Sequence, residues 1–134
     1  AGDVDNDGRC DAVVTHATEP VAILLNDSDR SNHRVVIRLV DRDRSRDAVG
    51  AVVEFELGDP ANTTRRRLFQ LAGDGYLCTN QQTLWAGMGS NSIARNCEVV
   101  WPDGTRQSVG DLTADASYLL IRDEPPFLLN RFSE

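Results

Sequence analysis

The apolar residues of this chain recur in short runs bounded by turn formers, and that pattern constrains the fold more than any other feature. The runs are Ala12-Val13-Val14, Val21-Ala22-Ile23-Leu24-Leu25, Val35 to Val40, Ala51 to Leu57, Leu68 to Leu71 and Val99-Val100-Trp101. They are rich in β-branched residues and too short for helices, so each predicts a strand. From Val52 to Leu57 the chain sets Val53, Phe55 and Leu57 against Glu54 and Glu56, the period of two that a half-buried antiparallel strand requires. Pro102-Asp103-Gly104 predicts a tight turn joining Val99-Val100-Trp101 to a strand over Arg106-Gln107-Ser108-Val109, because Pro presets φ and Gly accepts positive φ. Ser117 to Ile121 supplies a closing strand that Pro125-Pro126 halts, leaving residues 125–134 as a C-terminal tail. Many short strands in close succession predict an all-β fold, a small antiparallel β-sandwich or barrel-like domain.

A chain of 134 residues with 40% hydrophobic side chains buries roughly two-thirds of its unfolded surface, so it needs no disulfide scaffold and is not disordered. Asp and Glu number 21 against 14 basic residues, all of them Arg, for a net charge of −7. An acidic surface repels nucleic acid and anionic membranes, which argues against both as partners. No stretch approaches the roughly 20 apolar residues of a membrane span. The opening Ala1-Gly2-Asp3 carries no basic or apolar leader, so a signal peptide is expected upstream or already removed.

The stretch Asn26-Asp27-Ser28-Asp29-Arg30-Ser31-Asn32 contains no apolar residue and reads as a linker or long turn. It divides the chain into an N-terminal segment, residues 1–27, and a β-domain, residues 28–124. Asp41 to Asp47, of mixed sign and without an apolar residue, is expected to be a solvated loop laced by local ion pairs.

The strongest chemical signal is Asp3-Val4-Asp5-Asn6-Asp7-Gly8-Arg9-Cys10-Asp11. Three carboxylates at alternate positions, a Gly that lets the backbone turn sharply and a further Asp wrap hard oxygen ligands around a cation that takes about six to eight of them, which points to calcium. Side-chain ligands are expected from Asp3, Asp5, Asp7 and Asp11, with the carbonyl of Arg9 completing the set. An EF-hand would need a Glu at the twelfth loop position, which here is Val14, and a helix after it; strand-like Ala12-Val13-Val14 follows instead. Without a cation the clustered acids would repel one another.

The first 14 residues resemble the calcium loop of an FG-GAP or VCBS-type repeat, the blade unit of integrin-like β-propellers, with Pro20 to Asn26 as the strand leaving that blade. The remainder resembles the cartilage acidic protein-like ASPIC/UnbV domain. The matching stretches are Asn32-His33 before Val35-Val36-Ile37-Arg38-Leu39, then Arg46-Asp47-Ala48-Val49-Gly50-Ala51, then Gly75-Tyr76-Leu77, and Val99-Val100-Trp101-Pro102-Asp103-Gly104 with Gln107 following. Three departures stand out. Leu84-Trp85-Ala86-Gly87-Met88-Gly89 replaces a usual Leu-His-Phe-Gly-Leu-Gly, so a role resting on that His is absent. Cys78 stands where a small hydroxyl residue is more usual, and Ser45 where an Asn often precedes Arg-Asp-Ala. The resemblance implies an exported, calcium-dependent adhesion or matrix-type module with no established catalytic activity.

Other residues admit plainer readings. His33 opens a strand, and no G-x-S-x-G nucleophile elbow accompanies it, so a hydrogen-bonded strand-edge role is expected rather than catalysis. Trp101 ends an apolar strand and is expected in the core, whereas Trp85 can face either way. The run Arg65-Arg66-Arg67 reads as a charged sheet edge or as a contact for an anionic glycan. Cys78 and Cys97 can pair, which leaves Cys10 unpaired.

The reading that follows is a fragment of a larger exported protein, secreted or extracellular, or periplasmic or at the cell surface if bacterial. It joins the end of a calcium-binding propeller blade to a small β-domain that binds a protein or glycan without catalysis, with upstream propeller repeats of the same polypeptide as further partners. The rivals are a carbohydrate-binding β-sandwich using Trp85 and Arg66 with its neighbours, and an accessory domain of an exported hydrolase using His33.

Overall fold

The computed structural model describes residues 1–28, 31–43, 46–73, 75–76 and 80–132. Among these, ten strands and no helix are formed: β1 (Ala12–Val14), β2 (Ala22–Leu24), β3 (His33–Val40), β4 (Val52–Asp59), β5 (Asn62–Phe69), β6 (Leu84–Gly89), β7 (Ile93–Val100), β8 (Arg106–Thr113), β9 (Ala116–Ile121) and β10 (Phe127–Arg131). They build two four-stranded sheets, ordered β10-β9-β3-β6 and β5-β4-β7-β8, and a separate β1-β2 hairpin. Each large sheet ends in two edge strands, so the domain is an open sandwich rather than a closed barrel. Pairing is antiparallel throughout except between β3 and β9, which run parallel. Between β3 and β9 the chain builds the whole second sheet, interrupted once when β6 returns to pair with β3, and this long path supplies the crossover that parallel pairing demands.

The alternation in β4 sorts as its sequence requires. Val53, Phe55 and Leu57 are buried against Val35, Ile37 and Leu39 of β3 and against Val99 and Trp101 at the end of β7, within one apolar cluster. Several elements differ from the sequence reading, β7 among them, since it begins at Ile93 rather than Val99. β5 begins at Asn62 rather than Leu68: its polar residues can extend because it is an edge strand with β4 as its one neighbour. β6 carries Gly87 and Gly89 and no sustained apolar run, yet its backbone pairs with β3. Residues 125–134 are more than a tail, since beyond Pro125-Pro126 the apolar Phe127 and Leu128 pair with β9.

The charged stretch after β3 also needs correction. Asp41 is 1% exposed, and Arg122 Nη1 donates to its carboxylate at 3.2 Å while Arg122 Nη2 donates to Asp103 at 2.6 Å. The partner that makes this burial tolerable is distant in sequence, so local composition misleads. Glu54, on the outer face of β4, is also buried, ringed by Arg65, by Arg67 Nε at 2.6 Å and by Arg106 Nη1 at 3.4 Å. The three arginines neutralise a carboxylate that no single surface pair could hold there.

Glu54 and Asp103 contribute to the pH response. Burial pushes the Glu54 carboxyl up, but the Arg65 hydrogen bond and the nearby guanidinium charges outweigh it, and the net direction is down. Asp103 is held well below the usual carboxylate range by its hydrogen bond from Arg122. A depressed folded-state value contributes stability that is complete above the unfolded value, about 4, and is lost as pH falls through the folded one. Melting temperature is therefore expected to fall progressively below about pH 4; a melt insensitive to acid in that range would contradict the assignment.

Candidate functional site

The Asp-rich loop is closed by a bridge in which Asp11 N donates to Gly2 O at 2.8 Å and Gly2 N to Asp11 O at 3.1 Å. Asn6 and Gly8 take φ values of 61° and 84°, a left-handed region that Gly enters freely and Asn at low cost. The resulting turn folds backbone amides onto carboxylates. Asp7 N and Gly8 N donate to the two oxygens of Asp3 at 3.1 and 2.9 Å, and Val4 N and Asn26 N donate to those of Asp11 at 2.7 and 2.8 Å. One oxygen each from Asp3, Asp5 and Asp11 then lies within 4.8 Å of the others. A carboxylate oxygen has two acceptor sites, so amide bonding leaves capacity for a cation, and an all-oxygen donor set suits calcium.

Asp7 stands apart from that group. Its carboxylate accepts from Arg9 N at 2.8 Å and pairs with the Arg9 guanidinium. Arg9, expected to offer its carbonyl, also donates from Nη1 to Ser28 O at 3.0 Å. Asn26 was not expected at the site; it arrives because β1 and β2 pair with Ala12 opposite Leu24, which returns the chain beside Asp11. Asp11 is buried, and the Asn26 and Val4 amides hold its carboxyl below the usual range, against the opposing effect of burial.

The loop rests on the β-domain at three places. Gln81 N donates to Ala1 O and Gln81 Oε1 accepts from Asp3 N, both at 2.9 Å. Arg34 Nη2 donates to Asp7 O, and its guanidinium lies 5.0 Å from the centre of the Phe132 ring. Phe132 in turn occupies the space beside Gly8, where a Cβ would come within 2.5 Å of the ring. The absence of a side chain at Gly8 is therefore required by packing as well as by φ.

Between the loop and the outer face of the β10-β9-β3-β6 sheet lies a cavity of about 250 Å³, walled by Asp3 and Asn6 from the loop and by Arg38, Gln81, Trp85 and Asn130 among others. Trp85, which could have faced either way, is half-buried in this wall. Its Nε1 is buried without a hydrogen-bond partner among the described residues, a state that costs about 1–3 kcal/mol when left unanswered. Arg66 does not join it: Arg66 lines a different groove with Leu57, Gly87 and Met88, while Arg65 and Arg67 serve Glu54 on the outer face of β4. His33 Nδ1 lies 2.6 Å from Asp115 Oδ2, and Asp115 also accepts from Arg34 N and Phe132 N, so this pair ties β3 to the turn before β9. Cys78 lies outside the described residues, and with it the pairing to Cys97. Cys97 is buried, and that burial pushes its thiol up to about 12.

A family model described as ASPIC and UnbV matches residues 41–126. The chain belongs to the ASPIC and UnbV family. The ASPIC and UnbV match takes in β4 to β9, including all of the second sheet; the Asp-rich loop, β1 to β3 and β10 lie outside it. No curated protein matches the chain.

Proposed function

We propose that this ASPIC and UnbV chain is an exported, non-catalytic interaction module in which a calcium ion held by Asp3, Asp5 and Asp11 fixes the N-terminal loop against the β-domain. The convergence of those three carboxylates within 4.8 Å carries the reading. When bound, the ion would neutralise acids that otherwise repel, and the loop so ordered already meets Gln81, Arg34 and Phe132 on the β-domain. The loop is then the end of an FG-GAP or VCBS-type repeat. The hairpin β1-β2 supports this, because Val13, Ile23, Leu24 and the adjoining Leu25 are each half exposed or more and an isolated two-stranded hairpin is marginal in water. Upstream repeats of the same polypeptide are the cover that would bury them.

Titration of the chain with calcium, followed by calorimetry, tests the reading. A ligand that binds only the folded state stabilises it by about 2.7 kcal/mol at a hundredfold excess over Kd, so the melting temperature should climb with calcium and fall on chelation. Asp5 is exposed, so Asp5→Asn should weaken binding without unfolding the chain. An unchanged melt together with no binding heat would remove calcium from the account.

A further inference from the structure

We propose that the cavity between the Asp-rich loop and the β10-β9-β3-β6 sheet binds a single polyhydroxylated ring, a monosaccharide either free or at the end of a glycan. Its floor is a row of register partners crossing all four strands: Trp85 of β6, Val36 of β3, Ser117 of β9 and Asn130 of β10. Register partners share a face, so an indole and an amide bracket the row. Val36 sits on this outer face yet is 7% exposed, so the row is covered at Val36 and opens toward Asn130, which is exposed.

The chemistry of the walls selects the ligand. An aromatic side chain offers a flat apolar surface with a polar edge, suited to the C–H face of a sugar. Asn6, Gln81 and Asn130 present amides that both donate and accept, as hydroxyls do. Arg38 and Asp3 both line the cavity, so their charges offset and no surplus positive charge awaits a phosphate or sulfate. The volume of about 250 Å³ is below the roughly 300–1,000 Å³ of sites for drug-sized ligands, which suits one ring and not an enclosed oligosaccharide. Only the wall made by Asp3 and Asn6 rests on the calcium reading, since Asp3 belongs to both sites.

The test is a titration of the isotope-labelled full chain, in calcium buffer, with glucose, galactose, mannose, fucose, N-acetylglucosamine and sialic acid. A glycan array carrying the same sugars as terminal residues separates the free from the attached form. The expected result is a shift of the Trp85 indole N–H and of the Gln81 and Asn130 side-chain amides with at least one sugar. Affinity should then fall about tenfold in Trp85→Leu and in Asn130→Ala. Asn130 is exposed on the last strand, so its replacement keeps the test decisive if Trp85→Leu fails to fold. No shift with any of these sugars, or shifts indifferent to both substitutions, overturns the proposal. Calcium binding is measured in parallel: a chain that binds calcium and no sugar overturns the cavity proposal alone, and a chain that binds sugar and no calcium upholds it with the metal reading lost.

Discussion

Replacing Asp11 by Asn is expected to loosen the loop and, on the proposed calcium reading, to lower calcium affinity by roughly 10–100-fold, whereas Asp5→Asn should lower affinity and leave the loop in place. The difference follows from what each carboxylate accepts. Both oxygens of Asp11 take a backbone amide, from Val4 at 2.7 Å and from Asn26 at 2.8 Å. An asparagine has one oxygen and one NH₂ group, so whichever way it turns, a donor faces a donor and one amide loses its acceptor. Asp5 accepts a long bond from Asp7 N at 3.3 Å, and that bond survives on an amide oxygen. Calorimetric titration of the two variants gives the affinities, and hydrogen exchange at the Val4 and Asn26 amides gives the loop. Equal losses in both variants, with those two amides equally protected, would mean that Asp11 acts as a ligand and has no part in shaping the loop.

What could be read from the sequence was whatever depends on neighbours along the chain. The acid cluster was legible because alternating carboxylates around a glycine are a local pattern, and β4 because alternation by twos needs no partner to be seen. Asp7 shows an equally local competition: Arg9, two positions on, offers it both an amide and a guanidinium, and the three acids that converge are Asp3, Asp5 and Asp11. Phe132 and Arg34 could not be placed, since each reaches the loop only through contacts remote in sequence, and Asn26 depends on the register of the β1-β2 hairpin. The same holds for Trp85, whose face is decided by its register opposite Val36. Asp41 shows the cost of composition taken alone: a run of charges reads as solvated until a partner arrives from β9's far end, and Arg122 lies 81 positions away.

Trp101→Ala is expected to cost about 3–5 kcal/mol, as truncation of a fully buried aromatic does, against a total of about 5–15 kcal/mol for an ordinary domain. Trp101 is 2% exposed and does more than fill space. Its Nε1 donates to Gln107 Oε1 at 3.0 Å, and the same oxygen accepts from Asp123 N at 3.0 Å. Gln107 Nε2 donates onward to Ile121 O and Glu124 O at 3.2 and 2.9 Å. The Arg122 guanidinium, which neutralises Asp41, lies 5.7 Å from the indole centre. Removing the indole thus opens a cavity between the sheets and also loosens the group that fixes the turn after β9. Trp101→Phe keeps most of the ring and loses only the donor, so a smaller loss of about 1–3 kcal/mol is expected. Urea denaturation with unchanged slope measures both values. If the two variants were equally damaged, the hydrogen-bonded corner around Gln107 would be the main contribution of Trp101; if Trp101→Phe were neutral, packing alone would account for it.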